Sequence, residues 1–419
     1  MQPTDIVILS NAPGEVTTWV RPVVKALERV FEDRAIIRIS VLLSPCPHST
    51  GKEAEIASSY PAVDRVLPAT EFWSFLLWGK TKDNWQWHQR GIVVFLGGDQ
   101  FYTVAISRRL GYSSLIYTEW DARWYRFVDR FAAMNQKAIA QVPKSYRYKF
   151  SLVGDLMADV ALEVKSKSKS NPNLTSAFLV GLFVGSKPAK LSQGVPLCLA
   201  IAEEIQQQLP QTKFMIPVAP TLDLVTLSNY ASRQHNDLIP SLGNVTAELV
   251  YSTPQPPYLI TSGGTKIELV TEFPAYQTIV DCQLCLTTVG ANTAELTALR
   301  VPMIVLLPTQ QLDAMRSWDG LPGILANLPG IGTVFAKGIN WLVLRQGRLF
   351  AWPNIWAGTE IVPELVGKLE PETVAQLVLD YLKHPDQLKI MSDRLNVVRG
   401  QTGAAEQIAD IIKQEITKI

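Results

Sequence analysis

Histidine and cysteine are scarce, with four of each in 419 residues. The histidines are scattered and no H-E-x-x-H occurs, so a catalytic metal held by protein ligands is not expected. The cysteines are Cys46, Cys198, Cys282 and Cys285. The last two form a C-x-x-C, yet no second pair or nearby histidine completes a metal site. They lie in an apolar segment, Cys282-Gln-Leu-Cys-Leu-Thr287, that reads as a buried strand with structural thiols. An excess of charge is also missing. Lys and Arg number 39 against 38 Asp and Glu, and the net charge is +1, so no global field recruits nucleic acid. No window supplies the ~20 apolar residues of a spanning helix. Met1-Gln-Pro-Thr-Asp5 lacks the basic start of a secretory leader, and Ile6 to Leu9 is too short for its apolar core. The expectation is a cytosolic protein that can touch a membrane surface peripherally. The patterns G-x-x-x-x-G-K-[ST] and G-x-G-x-x-G are absent too, which removes support from kinase-like and dehydrogenase-like functions.

What remains is a globular chain, 47% hydrophobic and 18% charged, and therefore not a disordered one. Its length exceeds the roughly 250–300 residues at which single cores stop growing, so two domains are expected. The first half alternates strand and helix signals. Apolar runs at Ile6 to Leu9, Ile36 to Leu43, Val63 to Leu67, Gly91 to Leu96, Ser113 to Tyr117 and Phe150 to Val153 read as strands. Val20, Val23, Val24, Leu27, Val30 and Phe31 share one face of an intervening helix. The pattern breaks at Lys165-Ser-Lys-Ser-Lys-Ser-Asn-Pro-Asn173, a polar stretch that suits a linker. Strand signals then resume at Ala177 to Val184, Lys213 to Val218, Gln283 to Thr287 and Met303 to Leu307, with helices over Leu191 to Leu209 and Asn292 to Leu299. Such alternation predicts α/β architecture, two consecutive open parallel sheets. Helical faces close the chain, one at Val374, Leu377, Val378, Tyr381 and Leu382, another at Ile408, Ile411, Ile412 and Ile416.

Ligands of open α/β sheets bind beyond the carboxyl ends of strands. Four such ends are unusually polar or glycine-rich. Ser10-Asn-Ala-Pro-Gly-Glu15 offers Glu15, either a general base for a hydroxyl or a carboxylate that complements a helix start. Phe95-Leu-Gly-Gly-Asp-Gln100 offers Asp99, either a second catalytic carboxylate or a helix N-cap, and a cap alone has no need of paired glycines. Val184-Gly-Ser-Lys187 could hold a diphosphate through backbone N–H groups and lysine. Thr287-Thr-Val-Gly-Ala-Asn-Thr-Ala-Glu295 permits close backbone approach at Gly290, Asn292 and Thr293. There Glu295 could accept from ribose hydroxyls, and Asn292 could equally be a plain helix cap. Apart from these, Phe72-Trp73-Ser-Phe75-Leu-Leu-Trp78 with Trp85 and Trp87 mixes aromatics with Lys80, Lys82 and Arg90. That mixture suits a membrane interface or lipid groove, or else the domain's own core.

Several of these segments fall in the order seen in the lipid-A-disaccharide synthase family. Trp352-Pro-Asn-Ile-Trp-Ala-Gly-Thr-Glu-Ile-Val-Pro-Glu364 resembles that family's P-N-x-x-A-G-x-E-x-V-P-E. Val153-Gly-Asp-Leu-Met-Ala-Asp159 resembles V-G-H-P-L-A-D, and Val184 to Lys187 is similar to P-G-S-R. Phe214 to Ala219 and Gly290 to Glu295 match in place. Closer still, the chain resembles the related glycosyltransferases found mainly in cyanobacteria. The resemblance implies a GT-B fold: two Rossmann-like domains with an interdomain cleft. It assigns 1–164 to an acceptor-side domain, 165–173 to a linker, 174–400 to a nucleotide-sugar domain, and 401–419 to a helix packing back on the first domain. It implies an inverting, metal-independent transfer from a UDP-sugar, with no cofactor. Donor contacts are implied at Gly185, Ser186, Lys187, Gly290, Glu295, Asn354 and Glu364, together with a lipid-like acceptor and peripheral membrane association.

The departures concentrate on the acceptor side. The family's first-loop G-E-x-S-G-D is reduced to Gly14-Glu15, and its D-x-P-D-F-N becomes Gly-Gly-Asp99-Gln-Phe. Asp155 stands where histidine is usual, and Lys187 replaces an arginine, losing the bidentate fork. A related reaction on a different acceptor is therefore expected, with Glu15 or Asp99 as base. Two rivals are a nucleotide-sugar epimerase on the same architecture and a non-catalytic lipid- or partner-binding protein.

Overall fold

The structure, a computed structural model, describes residues 2–31, 36–46, 49–164, 178–308 and 349–418. The segment 165–173 read as a linker lies outside the described residues. The chain divides into two compact units, Met1–Glu163 with Gly400–Ile419, and Val164–Arg399.

In the first unit the strands are β1 Thr4–Ser10, β2 Ile37–Leu43, β3 Arg65–Leu67, β4 Arg90–Phe95, β5 Ser113–Thr118, β6 Arg130–Ala133 and β7 Phe150–Leu152. All pair in parallel, in the order β3-β2-β1-β4-β5-β6-β7. A helical lead, Pro13–Glu15 and a π-turn Val16–Val20, runs into α1 Arg21–Val30. Then come α2 Glu53–Ser58, α3 Phe72–Trp78, α4 Gln100–Leu110 and α5 Gln136–Ala140. The apolar stripe of α1 packs on the sheet, where Val20, Val23, Val24 and Leu27 are buried with Ile6, Ile8, Ile92 and Val94.

β1 is buried along its whole length, as a central parallel strand must be. Asp5 nevertheless sits in it, fully buried. Arg38 grips its carboxylate with two hydrogen bonds (2.7 and 3.0 Å), and Tyr112 Oη and the His88 amide donate at 2.7 Å each. Burial alone would push this carboxyl up, but Arg38, Tyr112 and His88 together hold it below the ordinary value.

The second unit holds β8 Leu179–Phe183, α6 Pro188–Gln208, β9 Lys213–Pro217, α7 Leu224–Asn229, β10 Ala247–Ser252, β11 Gln255–Thr261, β12 Lys266–Val270, α8 Tyr276–Ile279, β13 Leu284–Thr288, α9 Ala291–Ala298, β14 Met303–Pro308, α10 Trp352–Ala357, β15 Glu364–Gly367, α11 Pro371–Lys383 and α12 Pro385–Val398. Its sheet order is β10-β11-β12-β9-β8-β13-β14-β15. The pairs are parallel except β10/β11 and β11/β12, an antiparallel edge that the sequence pattern does not announce. Pro254 lies in the turn between β10 and β11, and Pro256 and Pro257 fall at the start of β11, ahead of the 258–260 stretch that pairs with β12, where a missing N–H is tolerated. The strand expected from Cys282 begins at Leu284. Both thiols are buried, and Gly181 on the adjacent strand leaves room for them, since a Cβ there would meet Cys285 Sγ at 2.7 Å.

The last helix, α13 Ala404–Lys418, belongs to the first unit. Ile408, Ile411, Ile412 and Ile416 join the core built on α1. Asp159 fixes its start, accepting from the Gly403, Ala404 and Ala405 amides. Asp159→Ala should remove this cap and lower the unfolding free energy by about 1–2 kcal/mol. A urea titration reads this as a lower midpoint at unchanged slope, whereas an unmoved midpoint would deny the cap its role.

Candidate functional site

A parallel sheet whose strand order reverses leaves a crevice at the carboxyl ends of the two strands flanking the reversal. In the first unit these strands are β1 and β4, and in the second β8 and β13.

At the β1/β4 end, Gly97 and Gly98 adopt φ of +141° and +100°. A Cβ on Gly97 would lie 3.2 Å from Glu15 Cβ and Cγ, and one on Gly98 would lie 2.7 Å from Ser44 Oγ. The paired glycines thus let the loop after β4 nest on the loop after β1 and on Ser44, a packing need independent of any ligand. Glu15 is brought over Gly97, two residues from Asp99. Asp99 is exposed and is the N-cap of α4, its Oδ1 accepting from the Phe101 amide at 2.9 Å. It has a structural role, and only one of its oxygens is used in it.

Sequence reasoning missed Glu119, the residue directly after β5. Burial, Asp155 and Glu15 push its carboxyl up to about 8. Asp155, buried behind it, is likewise raised to about 6 by burial despite accepting from the Met157 amide. Glu119 has no glycine beside it. Its only signal was its place at the end of an apolar run.

The tryptophans separate into two groups. Arg65 stacks against Trp85 and Trp87, 4.2 and 4.3 Å from the ring centroids, which fixes both half-buried on the unit's body. Trp73 and Trp78 are 48% and 66% exposed. From Trp73 a ribbon of ring contacts runs through Tyr102 and Phe101 to Trp124 and Phe127 at 5.3–6.4 Å. Arg108 lies 4.4 Å over Phe127. The ribbon crosses the first turn of α4, beside Asp99.

At the β8/β13 end, Lys187 occupies the N-cap position of α6 without a side-chain cap, and Pro188 follows. Pro188 has no N–H, and the Lys190 and Leu191 amides both donate to the Lys187 carbonyl at 2.9 Å, so within this turn the Ala189 amide is the donor left to a ligand or solvent among the described residues. Gly194 lets α6 press against the end of β8, since a Cβ there would be 2.7 Å from the Val184 carbonyl oxygen. The cap position of α9 falls on Gly290, so Asn292 is not its cap. Ser186, Lys187, Asn292 and Glu295 are half-buried at these two helix starts. Thr293 is fully buried. Its hydroxyl donates to the Gly290 carbonyl (2.9 Å) and accepts from the Trp352 amide (3.2 Å), joining α10 to α9.

Asn354 and Glu364 turn inward. Asn354, fully buried, donates to the Val362 carbonyl and Glu364 and accepts from the Ile361 and Val362 amides. Glu364 accepts from the Phe350 and Ala351 amides as well. These two residues build the loop and aim α10; Asn354 is fully buried, whereas Glu364 is half-buried. A functional residue also missed is Lys190, whose Nζ donates to the Val289 carbonyl across the two loops. Its signal was slight, a lysine three positions after Lys187.

No family model matches the chain. Among curated proteins, it is 24% identical over 282 residues to the lipid-A-disaccharide synthase of Sulfurihydrogenibium sp. (strain YO3AOP1), covering 65% of this chain and 61% of that one. It is 22% identical over 269 residues to the lipid-A-disaccharide synthase of Syntrophus aciditrophicus (strain SB), covering 62% and 56%. The match thus spans only 56–61% of these relatives' length. Among solved structures, a protein assigned as a UDP-N-acetylglucosamine 2-epimerase from Listeria monocytogenes gives a TM-score of 0.55 at 15% identity, covering 100% of this chain and 98% of that one. The S. aureus MnaA–UDP co-structure gives 0.52 at 12%, covering 100% and 98%. The UDP-GlcNAc 2-epimerase from Neisseria meningitidis bound to UDP-GlcNAc gives 0.50 at 12%, covering 99% and 100%. The chain is a distant relative of lipid-A-disaccharide synthases, and its two Rossmann-like α/β units are of the GT-B type.

Glu119 makes stability depend on pH. A carboxyl raised from 4.5 to about 8 on folding binds its proton more tightly in the native state. Its contribution therefore falls as pH rises through that window. Glu119→Gln should flatten this decline, so that the variant gains on the parent most clearly above pH 8. Urea midpoints measured across the window would refute this if both proteins fall in parallel.

Proposed function

We propose that the chain is a glycosyltransferase that moves a sugar from a UDP-sugar to a hydroxyl of a lipid-like acceptor, with inversion and without a metal. The carrying observation is the sequence match to lipid-A-disaccharide synthases, which takes in 65% of this chain. The geometry agrees with it. Carboxylates gather at the sheet end of the first unit, and helix N-termini with lysines at that of the second. In this scheme Glu15, or the free oxygen of Asp99, takes the proton from the acceptor hydroxyl as its oxygen bonds the anomeric carbon. The bond from that carbon to the UDP oxygen breaks. Negative charge collecting on the departing diphosphate is met by the lysines of α6 and by the Ala189, Ala291 and Asn292 amides at the starts of α6 and α9. The exposed ribbon from Trp73 to Phe127 supplies an aromatic surface with Arg108 for a lipid acceptor or its bilayer.

A second reading, a nucleotide-sugar epimerase, is favoured by the fold likeness to UDP-N-acetylglucosamine 2-epimerases. Products separate the two, because an epimerase alters the UDP-sugar with no acceptor present.

A thermal-shift screen of UDP-sugars should raise the melting temperature for the true donor, since a ligand that binds only the folded state stabilises it by mass action. With that donor and lipid extract, Asp99→Asn or Glu15→Gln should lower kcat by about 100-fold or more, and turnover should survive EDTA. Full turnover in both variants would remove both from the chemistry. For the ribbon, Trp73→Ser with Trp78→Ser should weaken co-sedimentation with anionic liposomes while UDP affinity stays unchanged. Undiminished sedimentation rules out Trp73 and Trp78 as the membrane contact.

A further inference from the structure

Gly185 and Gly290 come from loops far apart in sequence, yet one side chain explains why both lack a Cβ. A Cβ on Gly185 (φ +93°) would lie 2.8 Å from Lys190 Cβ and 3.2 Å from its Cδ. A Cβ on Gly290 (φ +144°) would lie 2.9 Å from Lys190 Nζ. The lysine stem is threaded through a slot cut by the two glycines, and the ammonium ends at the Val289 carbonyl at the start of α9.

Electrostatically this is a poor place for a cation. Helix N-termini carry partial positive charge, and Lys190 lies in the first turn of the 21-residue α6 while its ammonium reaches the start of α9. Among the described residues no carboxylate pairs with it. Its one partner there is a neutral carbonyl. Burial, and then the neighbouring Lys187, pull its pKa down to about 8. One residue before Val289, Thr288 Oγ1 is buried with no hydrogen-bond partner among the described residues. A structural filler of this slot could have been apolar. An anion is what would turn two helix ends, two lysines and an orphan hydroxyl from mutual repulsion into a satisfied set.

We propose that Lys190 is the direct ligand of a diphosphate at the β8/β13 end, its ammonium acting with the Ala189 amide of α6 and the Ala291 and Asn292 amides of α9, since the other first-turn amides already donate to the Lys187 and Gly290 carbonyls. The nucleotide attached to that diphosphate rests on the function proposed above, while the anion site itself does not.

The test uses the full chain and three probes, UDP, uridine and inorganic pyrophosphate, titrated by calorimetry into the parent, Lys190→Met and Lys187→Met. Methionine fills the same slot without charge. Lys190→Met should lose affinity for UDP and pyrophosphate on the order of 10–100-fold, the scale of one charge-assisted hydrogen bond. Uridine affinity should hold, and Lys187→Met should lose less. Without ligand, Lys190→Met should melt no lower than the parent, because a buried cation has left two positive helix ends. A merely structural lysine predicts the reverse, a lower melting temperature. Unchanged pyrophosphate and UDP affinity in Lys190→Met, or an equal loss for uridine, overturns the assignment and leaves the UDP-sugar function standing. Pyrophosphate binding that needs Lys190, in a protein that ignores UDP and uridine, supports the anion site and sinks the nucleotide. If the parent binds none of the three, both fall.

Discussion

Burial of a parallel sheet on both faces is the constraint from which the rest follows. Every strand interior must be apolar or fully paired, which is why Asp5 in β1 is met by Arg38, Tyr112 and the His88 amide. Every helix must return along a face of the sheet. Only where strand order reverses, at β1/β4 and β8/β13, do two loops diverge and leave a space at the sheet edge. Most of the chemically active groups weighed above lie at these two ends.

The two ends solve the same packing problem with opposite charge. In each, glycines at positive φ remove Cβ atoms so that one loop can lie on the other. At β1/β4 the space freed by Gly97 goes to Glu15, and Glu119 is added from the next strand. At β8/β13 the space freed by Gly185 and Gly290 goes to Lys190. Crowded, partly desolvated carboxylates are poised to take or give protons near neutral pH. Crowded cations at helix starts are poised to hold an anion. The transfer proposed above would draw on both, one from each unit.

Features that depend on one stretch of chain were legible in the sequence. Apolar runs ending in Gly97-Gly98, Gly185 and Gly290 located the strands and their functional ends, because strand length and turn chemistry are local properties. The stripe Ile408, Ile411, Ile412 and Ile416 is buried for the same reason. Features decided by distant partners were not legible. β6 is only four residues long, and Pro254 in the turn together with Pro256 and Pro257 in β11 disguises an antiparallel edge. Trp85 and Trp87 resemble Trp73 and Trp78 in sequence. Arg65, which separates the pairs, is brought to Trp85 and Trp87 only by the fold. Glu119 owes its raised proton affinity to burial and to Asp155 and Glu15 on other loops, and Lys190 its lowered one to burial and to Lys187 beside it; the burial that dominates both is what no spacing rule reveals.

That distinction also changes what the most specific family resemblance means. The segment Trp352 to Glu364 is where the chain looks most like lipid-A-disaccharide synthases, and two of its four polar residues, Asn354 and Glu364, turn toward the loop's own backbone, while Thr359 and Glu360 are exposed. The Asn354 side chain makes four hydrogen bonds, to the loop backbone and Glu364, and Glu364 gathers the amides that start α10. Such a clip fixes the position of α10, and through Thr293 that of α9, to the tolerance an anion site requires. Kinship there speaks to how the second unit is built. Under the function proposed above, the choice of sugar and acceptor would then rest on groups that face outward from the same frame. Ser186, Lys187, Asn292 and Glu295 are half-buried at one sheet end, and Asp99 and the aromatic ribbon beside it are exposed at the other. These outward groups include two of the chain's departures from the family pattern, Lys187 and the loop bearing Asp99. For the proposed transferase, that division of labour accounts for a different acceptor on a retained frame.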